Sequence, residues 1–283
     1  MIIGINMDKL AIFFDHYSFS SKLFFNGSLC GSENIRSEKE MGYLHVIREG
    51  ALTIHSQFHE PVVITEPSFL FYPKPIVHRF ETHKDSHVDL LCSFVDMGYG
   101  AGNPILNALP DFVLIPLNEM PELDTMLKVL FMEASQSHCG QQVAINKLMD
   151  YMLILVLRYA MDHLGTKIGL LAGLMDKRLS RALMVMHDKP GEHWTLENLS
   201  AVAGMSRARF FVHFRDIVGV TPGDYLSQWR VTLAQTLLKQ KKPLEMVADM
   251  VGYGSATSLS RAFKKHTGFA PKMWKKTEDN ATE

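Results

Sequence analysis

Near the C-terminus two groups of side chains have the chemistry needed to recognise base edges. In one group Arg261 supplies a planar guanidinium that can fork onto the two acceptors of guanine, and Thr257 and Ser260 supply hydroxyls for a base or a phosphate. Ala256 and Lys264 complete that set. In the other group Ala208, Phe211 and Val212 offer apolar surface of the kind that meets a thymine methyl, beside Arg207, Arg209 and Arg215. The alternative role for Phe211 and Val212 is packing against a neighbouring helix.

Each group needs a helix whose opposite face is buried. Phe210, Phe214 and Ile217 fall at i, i+4 and i+7, and Leu259 and Phe263 do the same, so these side chains are expected to point inward. The two helices are copies of one pattern. Residues 206–225 read S-R-A-R-F-F-V-H-F-R-D-I-V-G-V-T-P-G-D-Y and residues 255–274 read S-A-T-S-L-S-R-A-F-K-K-H-T-G-F-A-P-K-M-W. At a constant offset of 49 residues Phe214 answers to Phe263, Gly219 to Gly268, Pro222 to Pro271 and Tyr225 to Trp274. Such a repeat is one structural unit used twice.

A short amphipathic helix precedes each copy. Thr195 is the expected N-cap of Leu196–Ala203, Gly204 ends that helix, and Ser206 caps the next. The second copy runs Leu244–Val251, Gly252-Tyr253-Gly254, then Ser255 as cap, with a turn one residue longer. Helix, glycine turn and capped second helix form a helix-turn-helix, whose second helix enters the major groove. Between the copies, Leu226, Trp229, Leu233 and Leu237 predict a helix over Gly223–Gln240 with Asp224 as its cap. A rod on the order of 25 Å long could hold two reading helices about one DNA turn apart.

The stretches W-T-L-E-N-L-S-A-V-A-G-M-S-R (Trp194–Arg207), F-R-D-I-V-G-V-T-P-G-D-Y (Phe214–Tyr225), W-R-V-T-L-A (Trp229–Ala234) and V-G-Y-G-S-A-T-S-L-S-R-A-F-K (Val251–Lys264) resemble the AraC-type transcription regulators. That resemblance implies two helix-turn-helix units joined by one long helix. It also places base-reading positions at Ala208, Phe211, Val212, Ala256, Thr257, Ser260 and Arg261, with Ser206, Arg207, Arg209, Arg215 and Lys264 completing the DNA-binding set. Where the family usually carries polar or tryptophan side chains, this chain has the apolar Ala208, Phe211 and Val212.

Charge divides the chain the same way. Residues 176–283 carry 17 Lys/Arg against 11 Asp/Glu, and residues 1–175 carry 12 against 19, although the whole has a net charge of −1. The basic half suits phosphate and the acidic half repels it. With 283 residues, 47% of them hydrophobic, there is enough material for two cored domains. No apolar run is long enough to span a membrane, residues 1–10 lack the features of an export signal, and the three cysteines (Cys30, Cys92, Cys139) do not form a disulfide framework, so a cytoplasmic location is expected.

Residues 10–117 read as short strands: Phe19–Phe25, Tyr43–Ile47, Leu52–Phe58, Val62–Thr65, Ser68–Phe71, His78–Glu81 and Val88–Val95. Evenly spaced strands favour a small barrel or sandwich. The runs G-Y-L-H-V-I-R-E-G (Gly42–Gly50), F-L-F-Y-P-K-P-I-V-H (Phe69–His78), L-L-C-S-F (Leu90–Phe94) and L-P-D-F-V (Leu109–Val113) resemble cupin-type sensor domains. By that resemblance His45 and His78 face the barrel mouth, with Cys92 on the strand after. The three are the candidate effector-binding residues, and two imidazoles with a thiolate are also a candidate zinc or iron set. The other reading makes His45 and His78 hydrogen-bonded interior residues of a metal-free pocket. The H-x-H pair and downstream glutamate of enzymatic cupins are absent, so no enzyme is expected.

After Pro121 the period becomes helical: Leu123, Met126, Leu127, Leu130 and Phe131 make one stripe and Val143–His163 a second helix. In the resembling regulators such helices pair two protomers, so a homodimer is expected; the alternative is packing on their own barrel. Gly165–Gly173 reads as linker and Leu174–His187 as the first helix of the DNA-binding part. The expected fold is thus α+β: a cupin-like β-barrel (1–120), a helical dimerisation and linker segment (121–173) and an all-α double helix-turn-helix domain (174–283). The expected function is a DNA-binding transcription regulator, an activator by family habit, which contacts RNA polymerase and responds to a small effector or metal. The competing classes are a metal-dependent cupin enzyme tethered to DNA and a DNA-repair alkyl acceptor using Cys30 or Cys92.

Overall fold

The computed structural model describes residues 19–35, 41–57, 59–82, 87–97, 108–163 and 169–275, with residues 10 and 106. The chain forms two compact units, one of residues 18–99 and 109–165, the other of residues 166–283 with 1–17 and 100–108.

The first unit is built on nine described strands: β1 (Ser20–Leu29), β2 (Ser32–Ile35), β3 (Gly42–Glu49), β4 (Leu52–Ser56), β5 (Val62–Ile64), β6 (Ser68–Tyr72), β7 (His78–Thr82), β8 (Val88–Asp96) and β9 (Val113–Pro116). They form one sheet of order β1-β8-β3-β6-β9 and another of order β2-β7-β4-β5, with antiparallel neighbours throughout. Tyr43, Ile47, Leu70 and Leu90 of the first sheet share one buried core with Leu52, Ile54, Ile64 and Phe80 of the second. The alternation is clear on β7, where His78, Phe80 and Thr82 are buried and Arg79 and Glu81 are exposed. Two strands had no sequence signal. Strand β2 reads Ser-Glu-Asn-Ile and is an exposed edge held by β7, while β9 is four residues long and ends at Pro116 on the far edge.

Two helices follow, α1 (Pro121–Ala134) and α2 (Gln141–His163). Leu123, Leu127 and Leu130 are the buried stripe of α1, while Met126 and Phe131 are half-buried. The side chain of Gln141 bonds the carbonyls of Glu133 (2.9 Å) and Ala134 (3.3 Å), closing the carbonyl end of α1. Asp150 of α2 accepts from the Ser21 backbone N–H at 3.0 Å, and the Arg48 guanidinium lies 3.9 Å over the Phe131 ring, so both helices are fixed to the sheet. Val129 and Met132 of α1 and Val143 and Tyr151 of α2 remain exposed.

The second unit is helical: α3 (Leu170–Met175), α4 (Leu179–Asp188), α5 (Leu196–Val202), α6 (Arg207–Val218), α7 (Pro222–Lys239), α8 (Leu244–Met250) and α9 (Ala256–Thr267). Helix α3 begins within the stretch expected as linker and runs two residues into the stretch expected as helix. Its six residues are too few to show a period, but Leu170, Leu171 and Leu174 are buried and Gly173 lies where a Cβ would meet Leu183 Cδ1 at 2.8 Å. The single helix expected over Leu174–His187 is broken at Asp176, whose extended backbone turns the chain and whose carboxylate accepts from the N–H groups of Arg178 and Leu179, both at 2.8 Å.

Candidate nucleic-acid interface and barrel pocket

The repeat in the sequence is a repeat in space. Ser206 caps α6 by accepting from Arg209 N, and Ser255 caps α9 by accepting from Ser258 N. Each helix ends on a left-handed glycine, Gly219 (φ 88°) and Gly268 (φ 79°), whose N–H reaches back to Arg215 and Lys264 respectively at 2.9 Å. Beyond each glycine an aromatic folds onto the helix. Phe214 meets Tyr225 at 5.8 Å and 70°, and Phe263 meets Trp274 at 5.5 Å and 69°, both edge to face.

The helices before them end alike. Met205 N bonds Ser200 O (2.9 Å) after α5 and Tyr253 N bonds Ala248 O (2.8 Å) after α8, with Gly204 and Gly252 both at positive φ. Gly254 is the added residue of the second turn. Helix α7, 18 residues and about 27 Å long, joins the two units. Its cap is Thr221 rather than Asp224: the Thr221 hydroxyl accepts from Asp224 N at 3.2 Å and bonds the Asp224 carboxylate at 2.8 Å. Pro222, which needs no N–H partner, takes the first helical position and moves the start one residue earlier.

With these anchors Phe210, Phe214, Leu259 and Phe263 are buried. Ile217 is only half-buried, and Val218 takes the inward place. Outward on α6 stand Arg207, Ala208, Arg209 and Arg215, with Val212 at 47% exposure, while Phe211 is half-buried. Outward on α9 stand Thr257, Arg261 and Lys264; Ala256 and Ser260 are half-buried. These side chains form two faces whose helices differ in character, one apolar with an arginine fringe, the other polar and basic.

Several bracing groups carried no sequence signal, because each is a polar residue whose partner is distant in the chain. Ser227 of α7 bonds Tyr253 (3.1 Å) and His266 (2.9 Å), and Lys265 pairs with Asp224 at 2.8 Å. Arg230 donates to Pro190 O (2.8 Å) and Glu192 O (2.7 Å) while its guanidinium lies over the Tyr253 ring. Around the first helix-turn-helix His213 of α6 bonds Asp176 (2.8 Å), and buried His187 bonds the Tyr225 hydroxyl (2.7 Å).

In the β unit, His45 and His78 meet with Nε2 atoms 2.9 Å apart, and His78 Nδ1 lies 2.8 Å from the Ile76 carbonyl. A carbonyl only accepts, so His78 carries its proton on Nδ1 and its Nε2 accepts from Nε2–H of His45. His45 Nδ1 is then a lone pair, buried and without a partner among the described residues. Burial, and for His45 the neighbouring His78, hold His45 well below the usual imidazole range; burial takes His78 down to about 4 despite its bond to Ile76. Both rings are neutral at pH 7.

Cys92 is the cross-strand neighbour of His45, yet the described residues contain no group of three His, Cys, Asp or Glu able to hold a metal. Two imidazoles on one tetrahedral zinc would stand about 3.3 Å apart with both lone pairs on the ion; here the nitrogens bond each other. Bonded to each other in this way, His45 and His78 do not present two free lone pairs to one tetrahedral zinc. Burial also pushes the Cys92 thiol up, away from the thiolate that an alkyl acceptor or metal ligand needs. One cavity of this unit, about 390 Å³, is lined by Phe24, Phe25, Leu29, Glu33, Ile35, Phe80, Leu90 and Cys92. Of the three expected effector residues only Cys92 is in its wall.

A family model described as Cupin matches residues 8–162, more than half of the chain, and one described as Helix-turn-helix domain matches residues 199–277. The chain belongs to the AraC-type transcription regulators with an N-terminal cupin domain. A Haemophilus influenzae protein named an uncharacterized HTH-type transcriptional regulator is 27% identical to this AraC-type chain over 262 residues, 83% of the chain and 86% of that protein. The RCS-specific HTH-type transcriptional activator RclR of Escherichia coli is 26% identical, over 80% of this chain and 81% of its own. The HTH-type transcriptional regulator AlkR of Acinetobacter baylyi is 35% identical over 188 residues, 65% of this chain and 61% of its own. The relatives are named as regulators of transcription, in keeping with two helix-turn-helix units.

Proposed function

We propose that this AraC-type regulator binds one DNA site through both helix-turn-helix units, as a cytoplasmic homodimer, and activates transcription through contact with RNA polymerase when an effector occupies its cupin unit. The observation that carries the DNA reading is the spatial repeat: two capped, glycine-ended helices, each anchored by a buried phenylalanine pair or its equivalent, each presenting an outward basic face. Arg261, Thr257 and Ser260 would read bases from α9, and Ala208, Phe211 and Val212 would meet thymine methyls from α6. Ser206, Arg207, Arg209, Arg215 and Lys264 would hold phosphates.

The exposed Val129, Met132, Val143 and Tyr151 on α1 and α2 support pairing of protomers through these helices. No helix among the described residues is long and apolar enough to cross a membrane. Selection from a random duplex library with the full-length protein tests the proposal. A motif with two conserved blocks about one helical turn apart, repeated once per protomer, is the expected result. A single conserved block, or enrichment without any motif, would sink the two-unit reading. Sedimentation of the free protein checks the dimer separately.

A further inference from the structure

The cavity of the cupin unit that Cys92 lines has a wall of unusual construction. Register between β1 and β8 steps from Leu23 opposite Ser93 to Phe25 opposite Cys92, so Phe24 is an extra residue, a β-bulge. Side chains on a regular strand alternate between faces. At the bulge this alternation fails, and Phe24 and Phe25, adjacent in sequence, both line the cavity. Phe24 stacks on Phe94 at 4.2 Å yet keeps 38% of its surface exposed, and Phe80 closes the opposite wall from β7.

The charge of the wall is equally one-sided. Among the eight described residues that line it, Glu33 is the one with a carboxylate, and burial keeps the Cys92 thiol protonated. None is basic. The imidazoles of His45 and His78, which lie beside Cys92 and Phe80, are neutral and bonded to each other. A volume of about 390 Å³ lies in the range of small-molecule sites, and the space is that of about a dozen waters of liquid.

We infer that this cavity binds a hydrophobic aromatic amine, its ring system between Phe24, Phe25 and Phe80 and its ammonium group at Glu33. The ring faces favour a cation as well as apolar surface, the carboxylate favours it again, and an anion would meet Glu33 with no basic residue among the described lining to offset it. The inference deepens the effector-control reading above and rests on it for any consequence at DNA.

The test uses the full-length protein and three probes that share one ring system: 1-naphthylmethylamine, 1-naphthalenemethanol and 1-naphthoate. Calorimetric titration is expected to show saturable binding with a negative heat-capacity change, the amine about tenfold tighter than the carboxylate and the alcohol between. Glu33→Gln, an exposed substitution, should bring the amine down to the alcohol, and Phe24→Ala should weaken all three. Binding of the carboxylate as tightly as the amine, no saturable binding by any probe, or full affinity in Phe24→Ala would overturn the inference. Gel retardation on the selected DNA, with and without the amine, separates the two readings: binding of the amine with unchanged DNA affinity would defeat effector control and leave the cavity assignment standing. Unchanged DNA binding with no amine uptake would do the reverse.

Discussion

Arg261 gives the sharpest discrimination between reading bases and holding phosphates. It is exposed on α9, and among the described residues no carboxylate holds its guanidinium, in contrast to Lys265, which is tied to Asp224 at 2.8 Å. Removing an exposed, unpaired side chain should change folding stability by less than about 0.5 kcal/mol, so Arg261→Ala tests recognition rather than integrity. A bidentate fork on guanine is worth about 1–3 kcal/mol of discrimination, roughly 5- to 150-fold at 25 °C. A phosphate contact would instead weaken all DNA alike and lower the salt slope by about one counterion. The assay is fluorescence anisotropy on the selected site and on a scrambled duplex, each from about 50 to 200 mM salt. The expected result is a loss confined to the selected site, with relaxed preference at one base pair and an unchanged slope. Equal losses on both duplexes with a shallower slope would refute the assignment. Lys265→Ala should do little on either.

The apolar face of α6 makes a separate prediction: replacing thymine by uracil in the first half of the selected site, which deletes only methyl groups, should weaken binding severalfold, and Val212→Ala should reduce that sensitivity; indifference to the methyls would return Phe211 and Val212 to a packing role. The buried histidine pair predicts acid sensitivity. His78 is depressed from 6.5 to about 4 and His45 is depressed too, so the unfolded chain binds more protons below pH 6.5; the stability from keeping them neutral is complete above that pH and is lost as pH falls toward 4, on the order of 3 kcal/mol for His78, visible in the urea midpoint of the β unit. His78→Phe should flatten that pH dependence. Two glycines with similar φ should respond differently to alanine: at Gly252 (φ +82°) a Cβ meets Gly191 O at 2.7 Å and Arg230 Nη2 at 2.8 Å, whereas at Gly204 (φ +64°) nothing lies within 4 Å. Gly204→Ala should lose about 1 kcal/mol from backbone strain and Gly252→Ala about 2 kcal/mol or more; equal denaturation midpoints would contradict this.

The DNA-binding unit was legible because its signals are local. Caps at Thr195, Ser206 and Ser255, glycine stops at Gly204, Gly219, Gly252 and Gly268, and apolar spacing through Phe210–Phe214 and Leu259–Phe263 all act within a few residues. Duplication at one offset then made each copy a check on the other. Strand β2 and helix α3 escaped notice for the opposite reason, since an exposed Ser-Glu-Asn-Ile edge and a six-residue helix exist only through what they pack against. The capping shift from Asp224 to Thr221 was within reach of sequence, through the Thr-Pro-x-Asp pattern that favours proline at the first helical position.

By itself, then, the sequence determined the α+β class, the two helix-turn-helix units and the outward faces of α6 and α9, because period and capping are properties of neighbouring residues. Only the tertiary structure decided the cupin interior. Histidines 33 residues apart in sequence, each a plausible metal ligand, are brought within 2.9 Å and bond one another, and a one-residue bulge turns Phe24 into a cavity wall. Strand pairing sets those outcomes, and a shift of a single residue in register moves a side chain from one face of a sheet to the other.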